Sequence, residues 1–395
     1  MKTDLSELGV DTQLTHAGRQ PDEHYGFVNT PIYRGSTVTF PDVDSLLSGN
    51  QRYTYGRKNN PSTEALTDAI NTLEGAAGSI LCPSGLAACT TAILAVVGAG
   101  DHLLVPDSVY WPTRLFCNTA AKRFGIETTF YDPTIGAGIE ALLRPNTKAV
   151  FAESPGSLTF EIQDIGQLAD ICHRHGALLI MDNTWATPLF FKPLEHGVDL
   201  SLMAATKYVV GHSDALVGTI AANAGTWKQL QDYQYQAGVY VGPDDANLTL
   251  RGLRTMGVRL QRHQQSALQV ARWLETRAEV ARVIHPALPS HPQHALWQRD
   301  FKGASGLFSF VTREAPFSAV KALLDDLKLF GLGFSWGGFE SLAIPADPRN
   351  SRSATQWQDA GHLIRLHIGL EDPEDLIADL QAGFVRFSNS AAMQP

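Results

Sequence analysis

Residues 200–208 read LSLMAATKY, an apolar run that ends at a lysine, Lys207. A second apolar run, residues 177–181, is followed directly by Asp182. Further short apolar runs lie at residues 102–105, 148–152 and 216–222. Helical periodicity separates several of these runs, and such alternation is typical of a mostly parallel sheet covered by helices on both faces. The sequence therefore predicts an α/β fold.

Lys207 and Asp182 both follow a predicted strand. In sheets of this kind the ligand lies off the carboxyl ends of the strands. A lysine after an apolar run is usually a solvated strand end, but together with a carboxylate it suits one particular cofactor. The amine can condense with the aldehyde of pyridoxal 5'-phosphate, and the carboxylate can keep the ring nitrogen protonated. The pair therefore predicts pyridoxal phosphate.

Composition limits the class of protein. With 395 residues, the chain is long enough for two or three domains, and 44% hydrophobic with 18% charged residues is ordinary for a globular protein. The net charge of -9 and the lack of a basic block argue against nucleic acid as a partner. No apolar stretch has the length of a membrane span, and the charged start does not resemble a secretory signal, so we expect no membrane partner and a cytoplasmic location.

The four cysteines form no Cys-x-x-Cys pair and are expected to be buried free thiols. No metal site is expected either. His285, His291 and His294 lie in a Pro-rich stretch without a carboxylate at ligand spacing, which favours surface histidines.

The chain divides into three predicted parts. Residues 1–60 are rich in Gly, Pro, Asn and Tyr without a sustained period, and they predict an extended arm. Residues 61–255 form the large domain, with helices expected at 63–74, 85–97 and 110–124. Residues 256–395 form a smaller C-terminal domain. A long helical pattern over about residues 246–280 separates the two, and a strand is expected at 307–311.

Two places in the large domain suit a phosphate and an aromatic ring. Ser84, Gly85 and Leu86 open a helix of small residues, and a helix N-terminus offers free N–H groups and a positive dipole end to an anion. The alternative is a plain N-cap at Ser84. Tyr110 follows a strand in the same half of the sheet, where its ring could lie on the pyridine or be an ordinary core aromatic.

Two arginines outside that region are further candidates. Tyr55 and Arg57 lie in the arm and suit a phosphate dianion, delivered into a neighbouring subunit, although solvated loop residues are the alternative. Arg365 interrupts the alternating strand pattern LIRLHIG at residues 363–369. A planar guanidinium there suits a substrate carboxylate, and a structural salt bridge fits the sequence equally well.

Together these segments resemble the cystathionine-processing family of fold-type I pyridoxal phosphate enzymes over residues 11–384, nearly the whole chain. The segments that carry the resemblance are YTYGR (53–57), PSG (83–85), ESPGS (153–157), DNTW (182–185), AATKY (204–208), GHSD (211–214), RGLRT (251–255), SWGG (335–338) and the run 363–372. The bacterial β-lyases are the nearest branch, because related synthases and γ-lyases usually carry Pro-x-Asn-Pro where this chain has Ser154-Pro155-Gly156-Ser157.

The resemblance implies a fold-type I architecture and β-elimination of L-cystathionine to homocysteine, pyruvate and ammonia in methionine biosynthesis. It implies that Lys207 acts as both base and acid, and that Asp182 holds the ring nitrogen. Tyr110 stacks on the ring and takes a proton from the substrate amine.

For the remaining ligand contacts, the resemblance implies that Arg365 binds the substrate carboxylate with Ser335 and backbone near Trp336. Thr206 joins Ser84, Gly85, Leu86 and the partner subunit's arm on the phosphate. A homotetramer, built from dimers that share active sites, is the expected assembly.

One residue departs from the family pattern, since many relatives have Ser where this chain has Ala204. One phosphate hydrogen bond must then be missing or replaced. Other reactions on the same scaffold stay open, namely a broad cysteine-S-conjugate β-lyase, a γ-lyase or a γ-synthase. A cofactor-containing regulator and a structural protein with a vestigial site are further alternatives, which the full set of candidate residues argues against.

Overall fold

The structure is a computed structural model that describes residue 5 and residues 7–392. Within these residues the strands are β1 (Gly78–Cys82), β2 (His102–Pro106), β3 (Glu127–Tyr131), β4 (Thr147–Glu153), β5 (Leu178–Asp182), β6 (Leu200–Met203), β7 (Gly218–Ala222), β8 (Val280–Ile284), β9 (Leu307–Thr312), β10 (Leu342–Ala346) and β11 (Leu363–His367). The α-helices are α1 (Val10–His16), α2 (Val43–Ser48), α3 (Pro61–Glu74), α4 (Gly85–Val96), α5 (Trp111–Phe116), α6 (Ile165–Arg174), α7 (Thr187–Phe190), α8 (Trp227–Ala237), α9 (Pro243–Leu253), α10 (Met256–Glu275), α11 (His294–Asp300), α12 (Phe317–Leu324) and α13 (Pro373–Ala392).

Seven strands form the larger sheet in the order β1-β7-β6-β5-β4-β2-β3. Strand β7 runs antiparallel to both of its neighbours, and the other pairs are parallel. The predicted mostly parallel sheet with helices is confirmed. Two of its strands, β1 and β3, were not predicted. Both are edge strands of five residues, and β3 is largely half-exposed, so neither gives a strong apolar run.

The register of the central strands sets the position of the site. Glu153, the last residue of β4, is paired with Asp182, the last residue of β5, and Asp182 is paired with Leu202 of β6. The carboxyl ends of these three parallel strands therefore meet at one edge of the sheet. Lys207 follows β6 at the same edge, as the sequence predicts.

Four antiparallel strands form the second sheet, in the order β10-β11-β9-β8. Strand β9 is buried along its whole length because both of its faces are covered. Phe308 and Phe310 pack into a core with α10, α12 and α13, whereas Leu307 and Val311 join the core that contains β4, β5 and α6. Since side chains alternate along a strand, Arg365, which is paired with Ser309, lies on the face toward the larger sheet.

The long helical pattern expected over residues 246–280 is confirmed up to Glu275, where it forms two helices, and only its last residues are not helical. Helix α9 ends at Leu253, α10 begins at Met256, and β8 already begins at Val280. The break coincides with Arg254, whose guanidinium donates to the carbonyls of Leu14 and Ala17. The apolar periodicity continues across the break because both helices bury a face in the same core, which hides the interruption from the sequence.

The predictions for the helix at residues 110–124, for the histidines and for the cysteines had different outcomes. The helix expected over residues 110–124 is a short α-helix, α5, continued by a π-helical turn over Cys117–Ala121. His285 and His291 are buried, at 0% and 5% exposure, so the prediction of surface histidines was wrong for these two. Sequence could not show the tertiary packing that buries them, such as the Phe308 ring that lies 5.4 Å from the ring of His285. All four cysteines are free and buried, as predicted.

The described part of residues 1–60 contains α1, α2 and long irregular segments. It exposes several large apolar side chains, among them Tyr25, Phe27 and Leu47. The larger sheet lies within residues 78–222 and the smaller one within residues 280–367, so the predicted division at 60 and 255 cuts through neither sheet. That division stays a prediction. Among the described residues no helix has both the length and the apolar character needed to cross a membrane.

Candidate active site

Lys207 lies in a tight turn after β6. Its backbone N–H donates to the carbonyl of Ala204 at 3.0 Å, and the N–H of Gly211 donates to the carbonyl of Lys207 at 2.8 Å. The segment that follows is held by the buried guanidinium of Arg259, which donates to the carbonyl of Tyr208 at 2.7 Å. The backbone on both sides of Lys207 is thus held by hydrogen bonds.

The amine of Lys207 is mostly enclosed. Its Nζ donates to the hydroxyl of Ser335 at 2.5 Å and lies 5.3 Å from the centre of the Trp336 ring. Burial, aided by the positive charge of Arg365 and opposed by Asp182, lowers the pKa of Lys207 to about 8. The neutral, nucleophilic fraction of the amine near neutral pH is therefore much larger than for an ordinary lysine, although most of the amine is still protonated.

Asp182 is 9% exposed and ends the central strand β5. One carboxylate oxygen accepts the Thr184 backbone N–H, at 2.9 Å, and the Thr184 hydroxyl. The other oxygen faces the thiol of Cys89 at 3.8 Å. Burial raises the pKa of Asp182, although the Thr184 contacts oppose the rise. A buried carboxylate with one weakly bonded oxygen is suited to a cationic partner.

Glu153 and Tyr110 lie beside Asp182. The backbone N–H of Tyr110 donates to a carboxylate oxygen of Glu153 at 2.7 Å, which fixes the start of α5 against β4. Burial, and then the charge of Asp182, raise the pKa of Glu153 well above its usual value. Burial also raises the pKa of Tyr110, while Arg365 lowers it. The Tyr110 hydroxyl is thus protonated at neutral pH, and its predicted role as a proton acceptor stays a prediction.

Arg365 approaches the site from the smaller sheet. Its guanidinium donates to the backbone carbonyl of Ser335 at 3.0 Å, and burial lowers the pKa of Arg365 to about 10, so it remains a cation at neutral pH. No ion pair joins Arg365 to a carboxylate within the described residues, so the structural salt bridge that the sequence left open is not what holds it. Ser335 thus contacts Lys207 through its hydroxyl and Arg365 through its carbonyl.

The helix start at Gly85 faces the turn before Lys207. A Cβ on Gly85 would lie 2.4 Å from the Cβ of Ala204, so only glycine fits there. The Ser84 hydroxyl accepts the N–H of Ala87 at 3.1 Å, which makes Ser84 an N-cap as the alternative reading held. Leu86 is 37% exposed. The first amides of α4, on Gly85 and Leu86, therefore remain directed at this edge of the sheet.

The Thr206 hydroxyl is engaged with its own chain. It donates to the carbonyl of Val217 at 3.2 Å and accepts the N–H of Val217 at 3.0 Å, which ties the Lys207 turn to the start of the segment that leads into β7. A phosphate contact from Thr206 stays a prediction. Because Ala204 faces the helix start, a serine there would present its hydroxyl to the same place.

Tyr55 and Arg57 contact a different part of the chain. Arg57 donates to the carbonyl of Tyr235 on α8 at 3.2 Å and lies 5.9 Å from the centre of the Tyr55 ring, which is 44% exposed. Arg57 also lines a cavity of about 200 Å³ with Lys58, Trp227 and Tyr235, and Lys207 does not line it. Within one chain the structure brings Lys207, Asp182, Tyr110, Arg365, Ser335 and Trp336 together and leaves these two arm residues apart.

Sequence reasoning did not single out Thr184, Glu153 and Cys89 as site residues. Thr184 had a local signal, because an Asp whose side chain accepts the N–H two residues later is a common turn. Glu153 had a weaker one, since it also ends a predicted strand of the same sheet. Cys89 had none, because only the packing of α4 on the sheet brings it to Asp182.

The residues present fit pyridoxal phosphate. A partly neutral lysine amine suits the aldehyde, the under-bonded carboxylate of Asp182 suits a protonated ring nitrogen, and the free amides at the start of α4 suit the phosphate. The sterically closed contact between Gly85 and Ala204 brings that helix start next to the lysine turn. The three groups lie at one edge of one sheet, which a single elongated ligand can span.

Comparison with known proteins gives the same assignment. A sequence profile described as "Cys/Met metabolism PLP-dependent enzyme" matches residues 11–385. The chain is 55% identical to a "Putative cystathionine beta-lyase" of Rhizobium johnstonii, over 97% of this chain and 98% of that protein. It is 44% identical to a cystathionine beta-lyase of Escherichia coli, over 97% of this chain and 100% of that protein. A crystal structure of cystathionine gamma synthase from Xanthomonas oryzae superposes with a TM-score of 0.88 at 35% identity, covering 97% of this chain and 99% of the other.

Proposed function

The chain belongs to the Cys/Met metabolism PLP-dependent enzymes, and on that premise we propose that it is a carbon–sulfur lyase that cleaves L-cystathionine by β-elimination. The products are homocysteine, pyruvate and ammonia, a step of methionine biosynthesis. The observation that carries this proposal is the meeting of Lys207 and Asp182 at one sheet edge, in a chain whose relatives at 44% and 55% identity are named for this reaction.

Substrate orientation falls to Arg365 and Ser335. Arg365 is a half-buried cation that donates to a backbone carbonyl and has no carboxylate partner among the described side chains, so a substrate α-carboxylate completes its bonding. Holding the carboxylate at one end fixes which bond at Cα faces Lys207. Such orientation is worth several kcal/mol, on the order of the effective-molarity effects known for positioned groups.

Proton transfer falls to Lys207. With its pKa lowered to about 8, the amine can accept the Cα proton of the substrate near neutral pH and return it to the departing homocysteine sulfur. The cofactor, when bound, supplies an electron sink for the charge left on Cα. Asp182 stabilises the positive ring nitrogen on which that sink depends, and its burial strengthens the interaction.

The phosphate contacts are proposed at Ser84, Gly85, Leu86 and Thr206. The free amides at the start of α4 support this part of the proposal, because they need no side chain. Tyr55 and Arg57 of a second copy complete the grip, in a homotetramer built from dimers that share active sites. The contact of Arg57 with the Tyr235 carbonyl on α8 of its own chain, and the exposed apolar side chains of the arm, support the exchange. The free buried cysteines agree with a reducing, cytoplasmic location.

One assay tests the reaction. Purified protein supplied with pyridoxal phosphate and L-cystathionine should release pyruvate and homocysteine in equal amounts. Release of 2-oxobutyrate and cysteine would instead identify a γ-lyase, and pyruvate from many cysteine S-conjugates at equal rates would identify a broad β-lyase. A protein that binds the cofactor and forms neither keto acid would contradict the proposal.

A further inference from the structure

A buried histidine lies directly behind the residues that contact Lys207 and Arg365. His367 is the last residue of β11, two positions after Arg365, so both side chains lie on the same face of the smaller sheet. His367 is 0% exposed, and its ring packs against the rings of Tyr208 and His263. Its hydrogen bonds among the described residues go to Gly337 and Glu340, not to Lys207, Asp182 or Arg365.

The hydrogen bonds of His367 define its tautomer. The backbone N–H of Gly337 donates to Nε2 at 3.0 Å, so Nε2 carries no proton. Nδ1 lies 3.0 Å from the carbonyl oxygen of Glu340 and must therefore donate to it. A neutral ring with its proton on Nδ1 satisfies both contacts. Burial, followed by the charge of the neighbouring His263, lowers the pKa of His367 well below its usual value, which keeps the ring neutral.

Gly337 connects His367 to the lysine. Its φ of 88° lies in the left-handed region, and a Cβ there would lie 2.8 Å from the backbone carbon of Lys207. The turn of residues 335–337 is thus pressed against the Lys207 backbone. Ser335, at the other end of this turn, has a φ of 73°, a strained value for a residue with a side chain.

Something must hold that strained turn, because relaxing Ser335 would move both of its contacts. Its hydroxyl binds the Lys207 amine and its carbonyl binds Arg365. The Gly337 N–H has His367 as its acceptor, and the buried site offers no solvent in exchange. Trp336, between the two, packs on Tyr208 at 5.4 Å, which supports the turn by contact but not by a directed bond.

We propose that His367 is a positioning residue for the elimination: by accepting the Gly337 N–H it holds the 335–337 turn, and so sets the Ser335 contacts to Lys207 and Arg365. The inference rests on the proposed function for its kinetic part alone. Strand β11 carries both Arg365, which is proposed to bind the substrate carboxylate, and His367, which holds the turn that carries Ser335. One histidine can therefore affect the Ser335 contacts to both Arg365 and Lys207.

Two substitutions separate the contacts of His367. In His367→Gln the side-chain oxygen can reach the position of Nε2 and accept the Gly337 N–H. In His367→Asn the amide can replace only Nδ1, so the Glu340 contact survives and the Gly337 N–H is left buried without an acceptor. His263→Asn is the matched control, because His263 lies in the same buried layer but bonds the carbonyl of Ile368 through Nδ1, an atom that Asn imitates.

The experiment measures kcat and KM for L-cystathionine, the thermal midpoint, and the pH midpoint of the visible band of the lysine-bound cofactor. We expect His367→Asn to lose about tenfold or more in kcat/KM, mainly through KM, because a buried Gly337 N–H without an acceptor no longer fixes the turn that positions Arg365. The pH midpoint should move in the same variant. His367→Gln and His263→Asn should stay within about threefold of the parent in kcat/KM, with an unmoved pH midpoint.

Three results would overturn the proposal: His367→Asn behaving like the parent, His367→Asn and His367→Gln losing activity equally, or His263→Asn reproducing both changes. Either of the last two results would mean that His367 has only a structural role. Substitution would then lower the thermal midpoint, and His367→Gln would not restore activity. If the parent protein formed no pyruvate, the proposed reaction would fail, while the pH midpoint of the visible band would still decide the role of His367.

Discussion

The Lys207 site and the Tyr55–Arg57 segment of the arm differ in the burial and in the hydrogen-bond partners of their charged groups. At the site, burial and close packing displace the pKa values of Lys207 and Asp182 from their usual ranges, and each polar group has a fixed neighbour. In the arm, Tyr55 is 44% exposed, and Arg57 donates to a helix carbonyl and lies beside the Tyr55 ring. The proposed acid–base groups lie together within one chain, whereas the proposed phosphate contacts are divided between two.

The largest effect is expected from a substitution at the Lys207 site, whose proposed acid–base residues all lie within one chain. Lys207→Ala removes the amine that bonds the cofactor and moves the proton, so turnover should fall by at least about 10³-fold, within the range of general acid–base groups. The visible band of the bound cofactor should disappear as well. Absorbance spectra and pyruvate release measure the two effects, and a variant that retained full elimination would refute the assignment of Lys207.

Asp182→Asn should have the next largest effect. The amide keeps the shape of the site but cannot stabilise a positive ring nitrogen, so kcat should fall by about 10²–10³-fold, as for loss of a preorganised electrostatic contact. Cofactor content, measured by release into alkali, should remain close to the parent because Lys207 is unchanged. The Thr184 contacts would persist on one oxygen, so a normal rate would mean that Asp182 is only structural.

Arg57→Ala tests the proposed phosphate contacts, which are divided between two chains. Loss of a charge-assisted phosphate contact should weaken cofactor binding by about tenfold or more, because such bonds contribute roughly 1.5–3 kcal/mol, with kcat recovering at high pyridoxal phosphate. Arg52→Ala is the control, since Arg52 lies in the same arm and pairs with Glu23 and Glu64.

Mixing chains distinguishes a shared site from a local one. Arg57→Ala and Lys207→Ala chains, mixed under exchange and assayed at low pyridoxal phosphate, should form hybrids with one intact site and activity that neither parent has. No recovery, despite demonstrated chain exchange, would mean that Arg57 serves its own subunit.

The smallest effect concerns pH. Burial lowers the pKa of Lys207 to about 8, and only the neutral amine attacks the aldehyde. The rate at which cofactor-free protein captures pyridoxal phosphate should therefore rise about tenfold per pH unit below that value and level off above it. A rate that continued to climb toward pH 10, where an ordinary lysine titrates, would contradict the lowered pKa.

The sequence predicted the parts of the site that follow strands. Lys207 and Asp182 were found because each ends an apolar run, and parallel strands bring their carboxyl ends to one edge. Arg365 was found as a charge within an alternating pattern. In each case a local pattern and one rule about sheets were enough to place the side chain.

Contacts that depend on packing between distant segments could not be predicted. His367 alternates with Arg365 like any strand residue, and only the approach of the 335–337 turn gives it a role. Cys89 reaches Asp182 through the packing of a helix on the sheet, and the break at Arg254 depends on carbonyls some 240 residues away. Such contacts leave no periodic trace in the sequence.

Borohydride reduction of the cofactor-bound protein, followed by peptide mapping, tests the central claim most directly. Reduction makes the link between the lysine and the cofactor permanent, so the pyridoxyl group should be found on the peptide that contains Lys207, at about one per chain. A label on another lysine, or no label on a protein saturated with pyridoxal phosphate, would contradict the assignment of the site.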